Sequence, residues 1–214
     1  MGKSSKKDDI IFDSFYRGYE INNPSYSKGC FKKSLDTCIG TIEEKTEKHN
    51  KVLITRIDIR KPKEIEFDNG ERKMSRVIEA FKREQERKFE NSPNCLDMTI
   101  IRSTERKSNE GNTHDHLLIA ANGNCIQNAY PLFQSLERHA DRIFKVDKNS
   151  PENGGLVERC KKMGNKGLMI NRNSLDFEEA KANAVYAASY LAKVHQKENT
   201  PKGTHKITVS KTKR

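Results

Sequence analysis

Asn112-Thr113-His114-Asp115-His116-Leu117-Leu118-Ile119-Ala120-Ala121 is the stretch whose reading decides the fold. Two histidines one residue apart open an apolar run long enough for a buried strand. Side chains alternate faces along a strand, so His114 and His116 project to the same side, about 7 Å apart along the chain. That spacing lets two imidazoles reach one metal ion. A His-x-His pair alone serves equally well as a structural pair, so its neighbours must decide. Asp115, between the two, should point to the opposite face.

Immediately upstream, Leu96 to Glu105 reads as a second strand, and Arg106 to Thr113, with Asn109 and Gly111, as a polar loop. Strands joined so closely should pair as a hairpin, which brings Glu105 near His114 across the ladder. Two imidazoles and one carboxylate with open positions can hold a divalent ion that polarises a phosphodiester. Asp58 and Asp115 are rival carboxylates. Asp58 lies on an earlier strand, Val52 to Arg60, ended by Pro62, whose even positions set Arg56, Asp58 and Arg60 on one face. Such a polar row marks the rim of a site or an edge facing water.

Helices separate these strands. Leu35, Cys38, Ile39 and Ile42 follow helical spacing in a short segment. Met74, Val77, Ile78, Phe81 and Phe89 predict an amphipathic helix from Asp68 to about Glu90, and Leu132, Leu136, Ala140, Ile143 and Phe144 another after Pro131. Pro151 to Gly155 breaks the chain, and either Leu156-Val157 or Leu168-Met169-Ile170 supplies a fourth strand. The succession β-α-β-β-α-β, followed by one more helix, predicts an α+β, ferredoxin-like antiparallel sheet with helices on one side. Residues 1–33 read as a tail, flexible to about residue 9, plus an extension. Residues 34–198 read as the domain and 199–214 as a basic tail.

The chain carries 41 Lys and Arg against 30 Asp and Glu, a net charge of +11, a pI near 9.4 and a mean hydropathy of −0.92. Its apolar residues nevertheless fall in periodic blocks, which favours a folded domain with a very polar surface. The charge excess suits a partner with a phosphate backbone, although a solubilising surface needs the same charges. Five widely spaced cysteines contain no Cys-x-x-Cys, which argues against a disulfide framework or zinc ribbon and fits a reducing cytoplasm. The charged start is unlike a signal peptide. No apolar run approaches the ~20 residues that cross a bilayer.

The last helix is expected to begin at Asn173-Ser174 and run to about Lys197. At 3.6 residues per turn, Tyr186, Tyr190, Lys193 and Lys197 share one stripe, opposite a set of small alanines. Tyrosines four apart are ordinarily a core stripe. Two lysines continuing it are costly to bury, so a phosphate-facing cleft is the better expectation. A tyrosine can act as a covalent nucleophile when a cation or metal stands close.

Together, His114-Asp115-His116 and Tyr190-Leu191-Ala192-Lys193, with Tyr186 one turn earlier, resemble the HUH endonucleases that initiate rolling-circle DNA replication. The Arg-Ile-Asp-Ile-Arg ending of the first strand, Glu105, His114 to Ile119 and Ser189 to Lys193 look most like the inovirus (filamentous-phage) replication proteins of bacterial prophages. The resemblance spans about residue 35 to the end. It implies an HUH domain in which His114, His116 and Glu105 hold Mg²⁺ or Mn²⁺ against a scissile phosphate. Tyr190 then attacks to leave a 5′-phosphotyrosine, Lys193 offsets charge, and Tyr186 serves a second transfer that closes the circle. Arg56, Arg60 and Lys197 are expected to contact DNA. The implied partners are single-stranded or locally melted origin DNA and a host helicase, because the chain has no phosphate-binding Gly-Lys-Ser/Thr loop. The implied setting is the cytoplasm of a bacterial host. Asp115 departs from the pattern, which usually has an apolar residue there.

Rival readings are a transposase or relaxase of the same superfamily, or a binding domain of this fold that does not cut. A two-histidine, one-carboxylate iron oxygenase suits the ligand set but not the helices and positive charge. An RNA-binding module would stack bases on strand aromatics, which Val52 to Arg60 and His114 to Ala121 lack.

Overall fold

The computed structural model describes residues 9–62, 65–106, 113–146, 156–160, 163, 166–195, 197–201 and 205–212. The loop expected at Asn109 and Gly111, the break at residues 151–155, residues 1–8 of the expected tail and residues 202–204 and 213–214 lie outside the described residues. Four two-residue strands come first: Ile10–Ile11 (β1), Phe15–Tyr16 (β2), Tyr19–Glu20 (β3) and Cys30–Phe31 (β4). Then follow Lys32–Lys48 (α1), Lys51–Arg60 (β5), Phe67–Lys88 (α2), Thr99–Arg106 (β6), Thr113–Asn122 (β7) and Tyr130–Phe144 (α3). Val157–Arg159 (β8), Leu168–Asn171 (β9), Phe177–Ser189 (α4), a 3-10 turn at Tyr190–Ala192 and Thr208–Lys211 (β10) complete the order.

The fold is α+β. Its main sheet runs β10-β6-β7-β5, with β8 and β9 pairing with the two halves of β5, and every pairing is antiparallel. From β5 to β9 the expected β-α-β-β-α-β succession is present. Both candidates for the fourth strand are used, in tandem. Residues 199–214 are more than a tail, because β10 caps the edge of β6.

Period-two alternation explains the layers. The even residues of β5 and β7, Val52, Ile54, Leu118 and Ala120, pack with Ile101 against α1 and α4. The odd residues, Leu53, Ile57, Ile59, Leu117, Ile119 and Ala121, pack with α2 and α3. Helices therefore cover both faces, where one face was expected. The central strands are apolar on both sides, and each side must be kept from water. The first helix is also longer than expected, at 17 residues.

α1 is tied by charge to the segment that enters β6. Lys45 is fully buried, and its ammonium donates to the carbonyl and carboxylate of Asp97 at 2.8 and 2.6 Å. Lys48 and His49 reach the other Asp97 oxygen, each at 2.7 Å. Burial pulls the Asp97 carboxyl upward, but the hydrogen bonds from Lys45, Lys48 and His49 outweigh it and hold it well below the usual carboxylate range. A carboxyl depressed on folding contributes stability above its ordinary value of about 3.9, and that stability is lost as pH falls below it. Asp97→Asn is expected to cost about 3 kcal/mol near neutral pH, because Lys45 stays buried without its counter-charge. In urea unfolding followed by circular dichroism, the gap between variant and wild type should narrow steadily as the pH is lowered below about 4.

Candidate active site

The hairpin register places Glu105 opposite His114, as the sequence predicts, and β5 places Asp58 opposite His116 and Arg60 opposite His114. All five residues lie on the face covered by α1 and α4. His116 Nδ1 stands 2.7 Å from Asp58 Oδ1, and its Nε2 lies 3.1 Å from Glu105 Oε2. The second contact is an ion pair off the line of a well-formed hydrogen bond, so this buried nitrogen has no aligned partner. Burial would lower the His116 pKa, but the carboxylates of Asp58 and Glu105 beside the ring raise it. Asp58 also accepts a bidentate contact from Arg56, with both bonds 3.1 Å long. Arg60 sits at the rim, paired with Glu158.

Glu105 is 2% exposed and draws in three cations. His116 is one, Lys197 donates to its Oε1 at 3.0 Å, and Lys193 lies 3.8 Å from the same oxygen. Burial pushes the Glu105 carboxyl up, yet His116, Lys197 and Lys193 together hold it well below the usual carboxylate range. Burial lowers the Lys193 ammonium to about 8 against the pull of Glu105.

These lysines correct the expectation of one helical stripe on an open cleft. α4 ends at Ser189, the 3-10 turn carries Tyr190, and Lys193 is extended and bridges to Cys30. Lys193 and Lys197 are buried at 3% and 1% exposure. Leaving the helix is what lets both ammonium groups reach the buried carboxylate, which offsets their desolvation. Lys197 is thus a partner of Glu105 and is not positioned as a DNA contact.

Tyr190 meets this cluster. Its ring stands edge-on to His116 with centroids 5.0 Å apart, and the guanidinium of Arg56 lies 4.2 Å and the ammonium of Lys193 3.5 Å from the ring centre. Two cations over the ring favour negative charge developing on the phenol. Tyr186 stands apart, lining a neighbouring cavity with Arg56.

The donor chemistry for a divalent ion is present in His114, His116 and Glu105, with Asp58 orienting one imidazole as an outer partner does at metal sites. The unsatisfied His116 Nε2 facing a carboxylate oxygen fits a cation bonded by both. Among the described residues no three such side chains already stand in coordinating geometry.

A model of the YagK/YfjJ C-terminal domain family matches residues 15–205. The chain belongs to that family. No curated protein matches it, and no solved structure does. In this YagK/YfjJ C-terminal domain the site also depends on residues to which the sequence pattern assigns no role. The Val194 and His195 amides donate to the carbonyls of Gly29 and Ser27, and the Asn22 amide donates to Ser189 Oγ at 2.7 Å. The N-terminal extension therefore clamps the tyrosine turn. Gly29 signals this clamp: its φ is +88°, and an added Cβ would meet the Ile11 carbonyl at 3.0 Å.

Asp115 points away from the histidines, as its position requires, and is fully buried under α2. Arg102 and Thr104 each donate to its Oδ1 at 2.7 Å, and Lys61 pairs with Oδ2 at 3.0 Å. Glu71 on α2 pairs with both Lys61 and Arg102, which closes the charge balance. Asp115→Asn should lower the unfolding free energy by about 3 kcal/mol. Tyr186→Phe should stay within about 0.5 kcal/mol of wild type in the same urea titration, since it removes only the hydroxyl of a half-buried residue.

Proposed function

We propose that the domain is a metal-dependent, single-strand DNA nicking and joining enzyme of the HUH endonuclease class, resembling inovirus replication proteins. The observation that carries this reading is the placement of the Tyr190 ring against His116, whose Nε2 faces Glu105, with Arg56 and Lys193 on the phenol ring. A tyrosine nucleophile, a histidine-carboxylate set and flanking cations are the parts a phosphodiester transfer needs. The order of strands across the sheet, β6-β7-β5-β8/β9, is that of a ferredoxin-like plan and supports the same reading.

Tyr190 Oη attacks the phosphorus in line with the departing O3′. The new O–P bond forms as the P–O3′ bond breaks; the phenol gives up its proton to solvent and the departing O3′ takes one up, leaving a 5′-phosphotyrosine and a free 3′-hydroxyl. Arg56 and Lys193, over the tyrosine ring, offset the charge of the phenolate. Asp58 fixes the orientation of His116. Mg²⁺ or Mn²⁺ held by His114, His116 and Glu105 would supply Lewis-acid polarisation of the phosphate. Tyr186, expected as the second nucleophile, stands off this set, so the reading rests on Tyr190. Origin DNA, a separate helicase and a bacterial cytoplasm go with this proposal. A domain that binds DNA without cutting is the second reading, favoured by the way Lys197 already occupies Glu105 Oε1.

Incubation with a randomised single-stranded DNA pool labelled at its 3′ end, in Mn²⁺, distinguishes the two. Denaturing electrophoresis should show labelled protein that disappears with EDTA and with Tyr190→Phe. An adduct that survives Tyr190→Phe but is lost in Tyr186→Phe would overturn the assignment of the nucleophile. Retained DNA binding with no adduct in any metal would establish the binding-only reading.

A further inference from the structure

Beside Tyr190 lies a cavity of about 440 Å³ lined by Asn22, Arg56, Cys160, Leu168, Asn183, Tyr186 and Ala187. Its size falls within the ~300–1,000 Å³ of small-molecule sites. Resting on the single-strand DNA reading above, we propose that this cavity receives one unpaired nucleobase beside the scissile phosphate, and that Tyr186 is the ring on which that base stacks.

The lining sets the class of ligand. Among the described residues its lining has no carboxylate, which disfavours a cation. Arg56 is the one charged residue among them, and that guanidinium is already bound bidentately by Asp58, which disfavours a phosphate. What remains is one aromatic ring, apolar walls from Leu168 and Ala187, and the side-chain amides of Asn22 and Asn183. Among the described residues neither amide is engaged in a hydrogen bond within the protein. Amides of this kind carry both donors and acceptors and can read a base edge, while the ring takes the face. A flat group with apolar faces and a polar edge matches these walls.

Position supports the assignment. Arg56 lines the cavity and also covers the Tyr190 ring, so an occupant would lie one side chain from the nucleophile. The cavity wall is tied to the tyrosine turn, since the backbone N–H of Asn22 donates to Ser189 Oγ and that hydroxyl donates to the Tyr186 carbonyl. A base in the cavity would therefore fix the register of the strand relative to Tyr190. Under this proposal the Tyr186 ring matters and its hydroxyl does not.

The test is binding of the full chain, in EDTA, to fluorescein-labelled single-stranded DNA that the protein cuts in Mn²⁺, or binds if it does not cut. A single abasic position is moved along the strand, and anisotropy is read. One position should weaken binding about tenfold, the scale of losing one stacked base. Tyr186→Ala should bind the intact strand about tenfold more weakly and lose sensitivity to that position, whereas Tyr186→Phe should behave as wild type in both respects. Asn183→Ala should change which base is preferred there. Uniform sensitivity to abasic sites along the strand overturns the proposal. So does a Tyr186→Phe protein that binds normally but fails to rejoin strands, which would make the hydroxyl a nucleophile. Abasic sensitivity without any adduct leaves the cavity assigned and removes the nicking reading, while an adduct without abasic sensitivity does the reverse.

Discussion

A buried carboxylate has to be paired, and Glu105 is the carboxylate around which this domain is arranged. It sits at the end of β6 with almost no access to water, where an isolated charge would be prohibitively costly. His116 comes to it from the neighbouring strand. Lys193 and Lys197 come from a segment more than eighty residues later, and they do so only because the chain abandons its helix after Ser189. The unwinding, the tyrosine turn and the bridge between Lys193 and Cys30 all follow from bringing two ammonium groups to one carboxylate.

The same strand balances a second set of charges on its other side. Asp115 lies between the two histidines, yet it belongs to a neutral quartet with Glu71, Arg102 and Lys61 beneath α2. Two ionic clusters thus sit back to back through one layer of sheet, each closed by partners from a helix or its flanks. Buried pairs of this kind add little net stability compared with apolar packing, but removing one partner is severe. β7 is consequently fixed in register by side chains on both faces. A slip of one residue would exchange the histidines with Asp115 and leave both clusters unbalanced.

Much of this arrangement is legible in the amino-acid sequence. Alternation along Val52 to Arg60 and His114 to Ala121 predicts the strands, the short connection predicts the hairpin, and the hairpin predicts Glu105 beside His114. The end of the last helix is hidden, because Tyr186 to Lys197 contains no glycine or proline and local propensity favours continuing it. The distant Glu105 overrides that propensity, together with the carbonyls of Ser27 and Gly29. Helices on both faces are implicit in the apolar runs of β5 and β7, which are too continuous for a sheet wet on one side. The N-terminal extension carries no periodicity, and its task is visible only once Gly29 and Asn22 meet the tyrosine turn.

That clamp bears on when the tyrosine turn can first form. Asn22 and Ser189 are 167 residues apart in sequence, and their hydrogen bond closes a loop that contains the whole of the main-sheet hairpin. Contacts of such long separation form late, after loop closure has been met by the rest of the fold. A chain still emerging from the ribosome holds its histidine strand and its carboxylate but not the tyrosine seated against them. The cluster of His116, Glu105 and Tyr190 is therefore timed by topology: the tyrosine is seated only once residues 189–197 have folded back onto the extension.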